Sequence, residues 1–125
     1  YPQIGDLNEE EAECAVALSH SKQVKHWVRN IEARPDRSFW LPTSTDRFYP
    51  DFVAELTDGR ILAVEYKGER DFDPSKSFIS PDAREKRTIG ELWESKSSGK
   101  ALFLMVAKDM NGQKAGAQIE AKIKT

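Results

Sequence analysis

Residues 101–107, Ala-Leu-Phe-Leu-Met-Val-Ala, are apolar without interruption. A strand with one face in water alternates apolar and polar side chains, whereas a strand that reads apolar throughout is covered on both faces. The run therefore requires a sheet with a layer packed on either side, and the neighbouring sequence supplies helices for it. Asn8 followed by Glu11 fits a capping box, and Cys14, Ala15 and Leu18 give that helix an apolar stripe ending near Ser19-His20. Asp82 caps a second helix reaching about Ser97, with Ile89, Leu92 and Trp93 on its inner face. Asn111-Gly112 turns the chain into a third, roughly 113–122. Strands are expected at 39–41, 47–56 and 60–67, and a loop at 69–81, where two prolines and three serines interrupt. Val24, Trp27, Val28 and Ile31 fit a helix or a strand equally. The order helix, three strands, helix, strand, helix is α/β with a central sheet.

A chain of 125 residues suits one domain, taken as 8–125 with 1–7 as a linker. It opens on Tyr1, so a C-terminal piece of a larger protein is expected. The single cysteine, Cys14, excludes an internal disulfide and fits a reducing, cytoplasmic setting. No apolar run approaches the roughly 20 residues that span a bilayer, and no signal peptide opens the chain, so no membrane partner is expected. The net charge of −2 argues against a self-sufficient nucleic-acid binder, though not against a catalytic module that another domain delivers.

Charge enters the apolar runs at one place. In RFYPDFVAELTDGRILAVEYKG, Arg47 to Gly68, Asp51 opens one strand while Glu65 and Lys67 close the next. Glu65 and Lys67 share a face and Tyr66 points the other way. A two-residue turn at Asp58-Gly59 would set Asp51 opposite Tyr66. A three-residue loop, Thr57-Asp58-Gly59, sets it opposite Glu65, and requires a left-handed residue at its third position. Gly59 stands there, so the second register is expected. Two adjacent buried carboxylates repel unless one is protonated or a cation lies between them. A hard divalent ion with oxygen ligands meets that need, and Lys67 beside it suits metal-assisted phosphodiester hydrolysis.

Pro50-Asp51 followed by Glu65-Tyr66-Lys67 resembles the motif of the PD-(D/E)xK nuclease superfamily. The flanking segments VKHWVRNIE, FYPDFVAELTDGRILAVEYKGE and EKRTIGELWESKSSGKALFLMV are similar to the C-terminal endonuclease domain of type III restriction-enzyme R subunits and related helicase-fused proteins, over about Glu9 to Ala107. The resemblance implies a restriction-endonuclease-like fold, a mixed sheet flanked by helices. It also implies cleavage of double-stranded DNA with Mg²⁺, or Mn²⁺ in its place. Asp51 and Glu65 match the metal ligands, the Tyr66 backbone carbonyl a further oxygen ligand, and Lys67 the catalytic lysine. The family often adds a glutamate from the first helix, for which Glu11 fits best and Glu10 next; the capping box accounts for Glu11 equally well. An upstream helicase domain in the same chain, driven by ATP, and a modification methyltransferase subunit are the implied partners; the helicase motifs are absent from these 125 residues. The alternative is a catalytically inactive module of the same fold that docks DNA or a partner.

Arg84, Lys86 and Arg87 are candidate DNA contacts, but Asp82, Glu85, Glu91 and Glu94 are interleaved with them, as on a solvated helix face. Trp27, Trp40 and Trp93 are read as core. His20 and His26 have no partner at metal-binding spacing.

Overall fold

Both faces of the apolar run are covered, as its composition demands. The computed structural model describes residues 9–30, 41–42, 47–68, 71–73, 76–107 and 114–125. In chain order the elements are α1 (Glu9–His20), β1 (Val24–Arg29), β2 (Leu41–Pro42), β3 (Arg47–Phe48), β4 (Phe52–Leu56), β5 (Ile61–Lys67), β6 (Phe72–Asp73), β7 (Ser77–Phe78), α2 (Pro81–Lys96), β8 (Ala101–Ala107) and α3 (Ala115–Ile123). One sheet has the order β1-β4-β5-β8, antiparallel except for the parallel β5–β8 pair. The chain is therefore α/β, with a mixed four-stranded sheet flanked by helices. β2–β3 and β6–β7 are separate short ribbons.

Alternate residues of the sheet enter two cores. Phe52, Ala54, Leu62, Val64, Leu102 and Val106 pack with Cys14, Ala15 and Leu18 of α1 and Ile119 and Ile123 of α3. Ala63, Phe103 and Met105 pack on the opposite side with Phe48, Phe78 and Ala83 of α2. Among the described residues β8 is the outermost strand of the sheet, and an unpaired strand edge invites association. Side chains occupy that edge: Glu94 Oε1 accepts from the Phe103 N–H at 2.7 Å, and Gln118 both accepts from and donates to the Ala107 backbone, at 3.1 and 2.6 Å.

Several expectations are corrected. Residues 24–29, open between helix and strand in the sequence, are a strand, and its register with β4 shifts between Val24 and His26. That bulge inserts one residue, so Val24 and Trp27 reach the same core although three apart. The strand expected over 47–56 breaks between Phe48 and Phe52. Pro50 has no N–H for a ladder, and the Asp51 N–H donates instead to the Glu65 side chain. The expected loop at 69–81 contains the β6–β7 ribbon. Ser80, not Asp82, caps α2: its Oγ accepts from the Ala83 N–H at 3.1 Å, and Pro81 takes the first helical position. Leu92 is 54% exposed, because α2 turns Gly90 onto the Phe103 ring; Ile89 and Trp93 do pack inward. α3 begins at Ala115 rather than 113. Of the strand expected at 39–41, only Leu41 is described, within β2. The expected cap at Asn8, the Asn111-Gly112 turn and Trp40 lie outside the described residues. Among the described residues, no helix is long and apolar enough to cross a membrane.

Candidate active site

The β4–β5 hairpin fixes the geometry. Gly59 donates to the Leu56 carbonyl at 3.0 Å, Leu56 donates to the Arg60 carbonyl at 2.9 Å, and Gly59 has φ +92°. This is the three-residue loop with a left-handed third residue. The pairs Phe52↔Val64 and Ala54↔Leu62 follow, and one step further along that register Asp51 stands opposite Glu65. Burial of Phe48 and Pro50 anchors the segment that leads into Asp51.

The two acids interlock through backbone amides. The Asp51 N–H donates to Glu65 Oε1 at 3.2 Å, and the Tyr66 N–H donates to Asp51 Oδ2 at 2.8 Å. Glu65 is 5% exposed, and burial, with the Asp51 charge second, pushes its pKa up to about 8 despite Lys67 and Lys86 nearby. Burial also raises Asp51, opposed by the Tyr66 N–H and reinforced by the charge of Glu11. At neutral pH the pair thus retains a proton unless a cation replaces it. Burial alone would lower Lys67; its hydrogen bond to Asp82 and the charge of Glu65 outweigh that and raise it, so the ammonium is retained. Its Nζ lies 2.8 Å from Asp82 Oδ2 and 3.5 Å from Glu65 Oε2. The bond from Lys67 in turn holds Asp82 below the usual carboxylate range. Cys14, behind the site, is pushed up to about 12 by burial first and then by Asp51, which leaves an unreactive thiol.

Comparison with protein-family models, curated proteins and solved structures gives no match. The functional reading rests on the geometry of this chain and on the resemblance of its sequence motif.

Asp51, Glu65 and Lys67 come together. Tyr66 sits between the last two, its N–H on Asp51. Glu11 on α1 is near enough to act on Asp51, and its Oε2 lies 3.8 Å from Arg29 Nη2. The side chain of Glu10 lies outside the described residues. Among the described residues no group of three or more His, Cys, Asp or Glu side chains is placed to hold a metal. Two carboxylates on a buried floor nevertheless suit Mg²⁺, which takes one or two protein carboxylates and completes its shell with water and phosphate oxygens.

The three basic candidates on α2 separate. Arg84 donates from Nε to the Phe78 carbonyl at 3.0 Å. Arg87 bonds Ser77 Oγ at 3.0 Å, and its guanidinium lies 5.6 Å from the Phe78 ring centre. Lys86 enters the site, 3.8 Å from Glu65 Oε2 and 3.2 Å from Asp82 Oδ2. Sequence reasoning missed Asp82 as a site residue, and named Lys86 only as a candidate DNA contact on a helix face read as solvated. The available signal was their spacing of four on one helix, which puts both on the face turned to β5.

Proposed function

We propose that this chain is a metal-dependent endonuclease domain of the restriction-endonuclease-like fold, hydrolysing phosphodiester bonds of double-stranded DNA. One observation carries the reading: Asp51 and Glu65 meet across the hairpin with Lys67 beside them. An acid pair whose burial keeps it partly protonated is costly in a structural role and useful as a cation site. Asp51 and Glu65 would hold Mg²⁺ or Mn²⁺, with the Tyr66 carbonyl as a further oxygen donor; Glu11, which forms no three-acid group with them, would act on the pair through its charge. Such an ion supplies Lewis acidity and charge neutralisation at the phosphate. Lys67 would donate to the attacking water or the phosphoryl oxygens, where negative charge grows as the bond to phosphorus forms. The retained ammonium suits that role. The resemblance extends the proposal to a restriction enzyme with an ATP-driven motor upstream and a separate methyltransferase subunit.

The test is cleavage of supercoiled plasmid with Mg²⁺ and with Mn²⁺. Asp51→Asn and Lys67→Met should each abolish metal-dependent nicking while circular dichroism stays unchanged. Undiminished nicking by both variants would refute the assignment. A chain that binds duplex without cutting it under either metal would favour the docking module instead.

A further inference from the structure

Lys67 and Lys86 reach the site from different elements, β5 and α2, and share one acceptor. Asp82 Oδ2 lies 2.8 Å from Lys67 Nζ and 3.2 Å from Lys86 Nζ. Below them both ammoniums face Glu65 Oε2, at 3.5 and 3.8 Å. The Phe48 ring, its centre 5.3 Å from Lys86 Nζ, supports the second lysine. The two lysine side chains are 10% and 25% exposed, whereas that of Asp82 is 63% exposed. Two cations of low exposure therefore share one carboxylate that itself stands in water. Ser80, not Asp82, makes the helix cap, so Asp82 serves the helix only through its charge in the first turn. A carboxylate oxygen between two ammoniums occupies the place an anionic phosphoryl oxygen would take. Its exposure lets it rotate away into solvent at small desolvation cost.

We propose that Lys67 and Lys86 form a two-lysine clamp for a phosphate group of the substrate, and that Asp82 is its internal stand-in, displaced when that phosphate arrives. The source of the phosphate as a DNA phosphodiester rests on the nuclease reading; the clamp requires only an anionic phosphoryl oxygen. Competition fixes the sign of the effect. Removing the Asp82 charge strengthens phosphate binding although it adds no contact, and that gain depends on Lys86; a carboxylate acting only by its charge at the helix end would give the same gain without Lys86.

The test compares the 125-residue chain with Asp82→Asn, Lys86→Gln, Lys86→Arg and the Asp82→Asn/Lys86→Gln pair. Binding of a fluorescent DNA duplex is followed in EDTA across a salt series, and inorganic phosphate is titrated separately by its ³¹P resonance. Asp82→Asn should tighten both ligands by about three- to tenfold. Lys86→Gln should weaken the duplex and make its log–log salt slope shallower by about one, while Lys86→Arg keeps the parental slope. In the paired variant the gain from Asp82→Asn should shrink, which marks the two residues as coupled. The clamp is overturned if Asp82→Asn binds neither ligand more tightly, or if Lys86→Gln keeps the parental slope. Tighter phosphate binding by Asp82→Asn, with no duplex binding or cleavage by any form, keeps the clamp and removes DNA as its source.

Discussion

Glu65 holds a carboxyl group where only a neutral acid or a cation-bound anion is comfortable. In the unfolded chain it titrates near the ordinary glutamate value; in the fold burial and Asp51 push it up to about 8. The folded state therefore keeps a proton that the unfolded state has released. Stability contributed by that proton is complete below the unfolded pKa and is lost as pH rises through the folded one. In metal-free buffer the melting temperature should fall between about pH 4 and pH 9, a loss on the order of 5 kcal/mol. Asp51, also raised, acts in the same direction. Glu65→Gln should flatten most of the decline and be more stable than the parent at pH 8. Millimolar Mg²⁺ should restore stability to the parent at pH 8 and not to the Gln variant, by linkage to the folded state. Thermal melts over a pH series decide this, and a parent whose stability rises from pH 5 to pH 8 without metal would contradict it.

At the level of elements, the hairpin presents the acids and α2 brings Lys86 and Asp82 over them. α2 lies close because Gly90 has no side chain: a Cβ there would stand 2.3 Å from the Phe103 ring. Gly90→Ala gains up to about 1 kcal/mol of helix propensity. It pays more in overpacking, about 1–3 kcal/mol. Net destabilisation is expected in urea, with slower cleavage as α2 shifts. Gly116→Ala in α3 is the control: its Cβ would meet Ala17 at 3.8 Å, ordinary contact, so that substitution should be neutral or stabilising. Loss of equal size at both positions would mean that the close approach of α2 is unimportant. The same elements show what can be read from residues alone. The register of Asp51 on Glu65 was legible because Gly59 sits where the loop needs a positive φ. The strand at 24–29 was not, since its bulge reproduces the spacing of a helix at Val24 and Trp27. Asp82 was hidden, and Lys86 could not be told from Arg84 and Arg87, because alternating charges on a helix look the same whether they face water or a neighbouring strand. Only the packing of α2 on the sheet brings Lys86 over Glu65, with Asp82 beside it.

Taken whole, the proposed nuclease would carry phosphate chemistry on a body of the wrong sign to gather a polyanion. Its net charge is −2, and cations near the site already have acidic partners: Lys67 and Lys86 have Asp82 and Glu65, and Arg87 has Glu91. Long-range attraction to duplex is therefore weak, and each phosphate contact must displace an internal anion. Encounter, not chemistry, should then limit turnover of this chain at low DNA concentration. Fusing a sequence-neutral basic DNA-binding segment through a flexible linker raises the local DNA concentration without touching the site. By effective-concentration reasoning kcat/KM should rise by roughly 10²–10⁴, while kcat stays within a few-fold and the salt dependence steepens. Steady-state nicking over a range of plasmid concentrations, at two ionic strengths, separates the two constants. If the fusion instead raised kcat with KM unchanged, delivery would not be the limitation, and the local constellation of Asp51, Glu65, Lys67 and Lys86 would have to be incomplete until something else ordered it.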